Sequence, residues 1–144
     1  VTTDRVAWLR EHLLEIYDRN AFVKLLQMEI LELRKGETIM AMPVEPKLTN
    51  LYQMAHGGAL TTLADTSMGV SCASLGKRVV TLDLNINFIR GAETGETVTA
   101  AAKIIHNGKH TLVAESELVN SSGNLVAKAR GTFFVVGKFE PEAN

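Results

Sequence analysis

The sequence predicts an α+β fold in which an antiparallel sheet wraps around one long helix, and three observations predict it. A helix-length apolar run, 56–75, is built almost wholly of small residues. Four β-rich runs follow it, at 79–89, 97–105, 111–119 and 125–136. An amphipathic segment and a hairpin pattern precede it, and this order of elements suits helix packed on sheet. With 144 residues and 46% hydrophobic content, one domain spanning 1–144 is expected, containing an N-terminal helix at 1–20 and a central helix at 56–75.

In the N-terminal segment Val6, Leu9, Leu13, Leu14, Ile16 and Tyr17 recur at helical spacing with charges between them, and Asp4 is placed to cap the helix. Further on, Met28, Ile30 and Leu31 lead to a Lys35-Gly36-Glu37 turn, after which 38–44 alternates as a returning strand. That is a hairpin. After Pro43 and Pro46 the segment LTNLYQMA reads as loop, so the central helix begins near His56 and ends at Gly76, which supplies its C-terminal cap. Gly57, Gly58, Ala59, Ala64, Ser67, Gly69, Ser71, Cys72, Ala73 and Ser74 leave this helix little intrinsic propensity, so close envelopment must stabilise it. The final runs supply the envelope. Turn signals at 91–95, at Asn107-Gly108 and at Ser122-Gly123-Asn124 join them into an expected antiparallel meander.

A formal net charge of −1 with scattered charges gives no electrostatic footprint for nucleic acid or an anionic membrane, so neither is expected as a partner. No apolar run reaches transmembrane length, and no signal-peptide pattern stands at the N-terminus. Cys72 is the single cysteine and cannot form an intrachain disulfide, so it reads as core filler in a reducing, cytoplasmic compartment. No phosphate-binding loop or dinucleotide fingerprint is present, and no cofactor is expected. His106 and His110 bracket a hairpin tip without the one-face geometry of a helical ligand pair, so no metal site is expected. Ser67, Ser71 and Ser74 lack a nucleophile-elbow context.

The chemistry points to the central helix. His56, Gly57 and Gly58 fall at its N-terminus, where amides lack intrahelical partners and the helix dipole is positive, as an oxyanion requires. Glycine leaves such an amide unshielded, although Gly58 has an equal reading as a close-packing residue. Asp65 stands among Leu60, Leu63, Ala64 and Met68; a carboxylate in such surroundings is rarely there without a use. Gly57 and Asp65 are eight positions apart, about 12 Å of helix at about 1.5 Å per residue. If both act on one carbonyl, the solution is a two-fold dimer in which Gly57 of one chain faces Asp65 of the other.

HGGALTTLADTSMG and the later TLDLNINFIRGAETGE, with Asn85, Phe88 and Arg90, resemble the corresponding segments of hotdog-fold acyl-CoA thioesterases. The phenylacetate-pathway (PaaI-like) type is the nearest, with medium-chain and hydroxybenzoyl-CoA relatives, and the likeness covers nearly all of the chain after residue 20. The resemblance implies that the Gly57 amide polarises a thioester carbonyl and that Asp65 is the catalytic carboxylate donated by the partner chain. Asn50 and His56 would support the thioester end, their alternative readings being a turn Asn and an N-cap His. Where Glu-bearing relatives carry a hydroxyl to hold the hydrolytic water, this chain has Gly69; Thr81 is the implied replacement. Substrate and CoA contacts would come from Gly58, Met68, Phe88, Arg90, Lys109 and His110, with Arg130 a further basic candidate. Leu51, Met54, Met68 and Phe88 would line a pocket for aromatic or medium aliphatic groups. The resemblance also implies an acyl-CoA substrate and a homodimer with shared sites, assembled into a homotetramer. A hotdog hydratase or dehydratase, and a non-catalytic acyl-CoA-binding regulator, are the alternatives; retention of Asp65 and a short, non-basic N-terminus speak against the latter.

Overall fold

The computed structural model describes residues 3–141, with side chains from residue 6. The elements run α1 (Thr3–Arg19), α2 (Ala21–Leu25), β1 (Glu29–Arg34), β2 (Glu37–Pro43), a 3-10 turn (Pro46–Leu48), α3 (Gly57–Ala73), β3 (Lys77–Phe88), β4 (Thr97–Asn107), β5 (Thr111–Val119) and β6 (Leu125–Lys138). One six-stranded antiparallel sheet, ordered β1-β2-β4-β5-β6-β3, curves around α3. This is the hotdog fold, an α+β arrangement. None of the described helices is long and apolar enough to cross a membrane.

The N-terminal helix is not continuous to Asn20. It stops at Arg19, and the Asn20 side chain accepts from the Val23 amide at 3.0 Å, capping a second short helix. The side chain of Asp4, expected as the first cap, lies outside those described. Leu13 is fully buried, while Trp8 stacks on His12 and His12 meets Phe139 edge-on, tying α1 to the end of β6. The β1–β2 hairpin turns where Gly36 takes φ 79°, a left-handed conformation that glycine adopts without steric cost.

The expected meander holds only for β4, β5 and β6. β3 does not pair with β4; it crosses the molecule to pair with β6, and β4 pairs with β2 instead. The connection 89–96 explains the difference. It is held along the loop before α3, with Ala55 N–H on Ala92 O at 2.7 Å and Val44 N–H on Glu96 O at 2.8 Å, and so delivers the chain to β2.

Helix α3 buries Leu60, Leu63, Ala64, Ser67, Met68 and Ser71 against the sheet, and Cys72 and Ala73 elsewhere on its circumference. Its small residues allow that envelopment. Polar atoms in the contact are paired: the Ser67 and Ser116 hydroxyls lie 2.9 Å apart, and the Ser71 hydroxyl donates to Thr38 Oγ1 at 3.0 Å. The helix ends at Ala73, two residues before the expected end. The Ser74 hydroxyl donates to Ser71 O and accepts the Gly36 amide, and Gly76, at φ 83°, turns the chain into β3.

Candidate active site

Four residues are consecutive at the start of α3. The His56 amide donates to Leu48 O at 2.8 Å, and its Nδ1 accepts the Gly58 amide at 2.8 Å, so His56 is the helix N-cap. The expectation that Gly57 and Gly58 both offer bare amides is thereby corrected. Gly58 N–H is consumed by the imidazole, whereas Gly57 N–H has no hydrogen-bond acceptor among the described residues. The Phe88 ring lies over Gly57, 3.3 Å from where a Cβ would stand, so a glycine is what allows ring and helix start to approach. Asn50 takes the turn role: its Oδ1 accepts from Tyr52 N at 2.8 Å and Met54 N at 3.2 Å, shaping the loop that leads into the helix.

Asp65 is half-buried rather than enclosed by its apolar neighbours. The physical reason is that Thr61, Thr62, Asp65, Thr66 and Gly69 form the one stripe of α3 that neither the sheet nor α1 covers completely. From β3, the Thr81 hydroxyl donates to Asp65 Oδ1 at 2.7 Å. The hydroxyl expected to hold water is thus bonded to the carboxylate itself. One turn on, Gly69 faces open space, with no atom within 4 Å of a Cβ position.

Other expected contacts separate. Met68 is fully buried in the core, its Cε against Gly131, because it lies on the sheet-facing side of α3; it does not touch a ligand. Phe88 is 53% exposed and Leu51 95% exposed, the latter standing out from the loop. Arg90 follows the end of β3, whereas Lys109 and His110 sit at the hairpin tip that Lys77, at the start of β3, holds through Asn107 Oδ1 and Gly108 O. Twelve strand residues put on the order of 36 Å between those ends, so one chain cannot gather these cations at one mouth. Arg130 is paired with Glu115 at 2.5 Å on the face of the sheet away from α3, and that guanidinium holds the Glu115 carboxyl below its ordinary range.

Sequence reasoning missed Tyr17, Phe22 and Val23. Together with Asp65, Thr81 and Gly69 they line one cavity of about 500 Å³ between the N-terminal helices and α3. Burial, with the nearby Cys72 and Asp65 charges, pushes the Tyr17 phenol up to about 12, so it stays neutral. Burial likewise pushes the Cys72 thiol up to about 12, leaving an inert thiol. Among the described residues no group of three or more His, Cys, Asp or Glu side chains could hold a metal ion.

The thioesterase superfamily profile matches residues 52–127, which include α3 and the whole Asp65–Thr81 pair. The acyl-coenzyme A thioesterase PaaI of Escherichia coli is 35% identical over 131 residues, covering 91% of this chain and 92% of that one. The solved structure of the E. coli PaaI protein from the phenylacetic acid degradation operon superposes with a TM-score of 0.86 at 34% identity, covering 93% and 96% of the two chains. A thioesterase protein from Streptococcus pneumoniae, solved with coenzyme A, superposes at 0.76 and 34% identity over 78% of this chain and 91% of its own. That protein has also been solved with an aspartate, and separately a threonine sixteen residues later, replaced by alanine. Agreement in sequence and fold along almost the full length leads to one conclusion: this chain belongs to the thioesterase superfamily, among its PaaI-like hotdog-fold acyl-CoA thioesterases.

Proposed function

We propose that the chain hydrolyses an aryl- or medium-chain acyl-CoA to the free acid and CoA at sites shared between two copies. The observation that carries this is the pairing of Thr81 with Asp65 on the open stripe of α3, eight residues from the one unpartnered amide at Gly57. The S. pneumoniae relative that was solved with coenzyme A has been altered at an aspartate and a threonine with the same spacing of sixteen. That spacing supports reading Asp65 and Thr81 as its counterparts.

In this reading Gly57 N–H donates to the thioester oxygen and stabilises the oxyanion that forms there. Thr81 fixes Oδ1 of Asp65, which leaves Oδ2 to react. Oδ2 either takes a proton from water as that water attacks the carbonyl, or attacks the carbonyl itself to give a mixed anhydride that water then opens. In both routes the C–S bond breaks and the departing thiolate takes up a proton to give CoA.

About 12 Å of helix lies between the two groups, whereas an oxyanion donor must stand about 3 Å from its oxygen. The second copy supplies the complement. Strand β3 is a sheet edge carrying Val80, Leu82 and Phe88 at half exposure or more, a surface suited to a second copy of the chain. Homodimers built this way would pair further into homotetramers. Release of free thiol from a panel of aryl-, short-, medium- and long-chain acyl-CoAs tests the reading; no release from any of them by a folded, dimeric protein would overturn it.

A further inference from the structure

Asp65 and Thr81 stand at one end of the cavity beneath the N-terminal helices, and the opposite wall is the elbow where α1 meets α2. Taking Asp65 as the reacting carboxylate, we propose that this cavity receives the acyl group of the thioester, and that the elbow sets how large a group is accepted. Tyr17 and Phe22 form the far wall in this arrangement, and Gly69 the near one.

Three observations support it. The cavity's volume, about 500 Å³, falls within the roughly 300–1,000 Å³ common for small-ligand sites, enough for an aryl or medium aliphatic group. Its inner lining is apolar: Val23, Ala73, Val79 and Phe133 join the two aromatic side chains of the elbow. Gly69 is the third. A glycine inside a helix costs about 1 kcal/mol of propensity relative to alanine, yet a Cβ at this position would meet no atom within 4 Å. Packing therefore does not require the glycine. A side chain at 69 would enter the cavity one turn beyond the carboxylate.

The Tyr17 hydroxyl has no hydrogen-bond partner among the described residues, and no buried side-chain polar atom is left unpaired. The hydroxyl is therefore open to the cavity, where it can donate to a polar substituent on an acyl group.

Gly69→Leu fills the near wall and Phe22→Ala opens the far one. The expected result is that Gly69→Leu lowers the ratio of kcat/KM for octanoyl-CoA over acetyl-CoA by on the order of tenfold or more. Phe22→Ala raises the ratio for dodecanoyl-CoA over acetyl-CoA. Ligand-observed NMR with free octanoate gives a readout independent of turnover, with signal transfer in the wild type and its loss in Gly69→Leu. Unmoved ratios in both folded variants, with octanoate contact retained, overturn the proposal. If Gly69→Leu does not fold, Phe22→Ala decides alone, and an unchanged ratio there counts against the elbow. A wild-type chain that hydrolyses no acyl-CoA yet holds octanoate in a Gly69-dependent way refutes the hydrolytic reading and upholds the acyl cavity.

Discussion

The Thr81 hydroxyl donates to Oδ1 of Asp65 at 2.7 Å, so a β3 side chain orients a carboxylate carried by α3. A hydrogen bond to a charged acceptor is among the stronger ones and fixes direction as well as distance. Thr81→Ala is accordingly expected to lower kcat by about tenfold or more with a much smaller change in KM, because it frees the carboxylate to rotate without touching the CoA end. Thr81→Ser should restore most of the loss. Equal effects of the alanine and serine variants in single-turnover assays would assign Thr81 to the strand alone.

Asp65→Asn keeps the shape of the side chain and removes its charge. Since Asp65 is only half-buried, the melting temperature should hardly move while thioester hydrolysis falls at least a hundredfold, the usual scale for a lost acid–base group. Turnover surviving in a purified, folded variant would exclude Asp65 from the reaction.

Shared sites predict complementation. Gly57→Val places a side chain against Phe88, whose ring lies 3.3 Å from the Cβ position but is half-exposed and able to yield. The variant should fold and fail. Co-refolded with Asp65→Asn, it forms mixed dimers in which one site carries both defects and the other neither. Random assortment makes about half of the dimers mixed, so about a quarter of wild-type activity should return. Heterodimers detected by native mass spectrometry without activity would refute the cross-subunit site.

His56 spends its Nδ1 on the Gly58 amide. His56→Ala should therefore cost about 1 kcal/mol in urea denaturation, the ordinary value of an N-cap. It should also perturb the amide resonances of Gly57 and Gly58 more than those of the helix centre.

Tyr17 and Cys72 predict alkaline sensitivity. Their folded-state values near 12 stand above the ordinary 10.0 and 9.0 chiefly because burial disfavours the charged forms. Unfolded chains ionise first, so the folded state keeps its full margin below pH 9 and loses stability as the pH rises toward 12. Cys72→Ala should flatten the fall in Tm that begins above pH 9. In the native wild type an aromatic disulfide reagent at pH 8 should leave Cys72 unmodified.

Much of this was legible in the chain. The Gly36 hairpin, the small-residue helix and the strand at 111–119 follow from turn chemistry and period, which are local properties. The placement of β3 beside β6 was not legible, because alternation reports which face a strand buries and not which strand lies beside it. The open stripe through Asp65 and Gly69 was hidden for a similar reason: a helix buried on most of its circumference has apolar neighbours at every spacing, and they mask its one uncovered side. Tyr17 meets the Asp65 cavity only through the break at Asn20 and the packing of α1, across nearly fifty residues of sequence.

The paired hydroxyls between α3 and the sheet work as an index mark. Leucine and methionine contacts tolerate a small slide of one surface over another, but Ser67 with Ser116, and Ser71 with Thr38, match at a single setting. Any other setting would strand hydroxyls in a dry interior. The height of Asp65 along β3 is set two residues away from the first of these pairs, so the reach between carboxylate and Thr81 is inherited from a contact that never meets substrate. Such positions should drift only in step: Ser67→Ala alone orphans its partner, while Ser67→Ala together with Ser116→Ala removes donor and acceptor at once, leaving the helix free to lose its registration before it loses its fold.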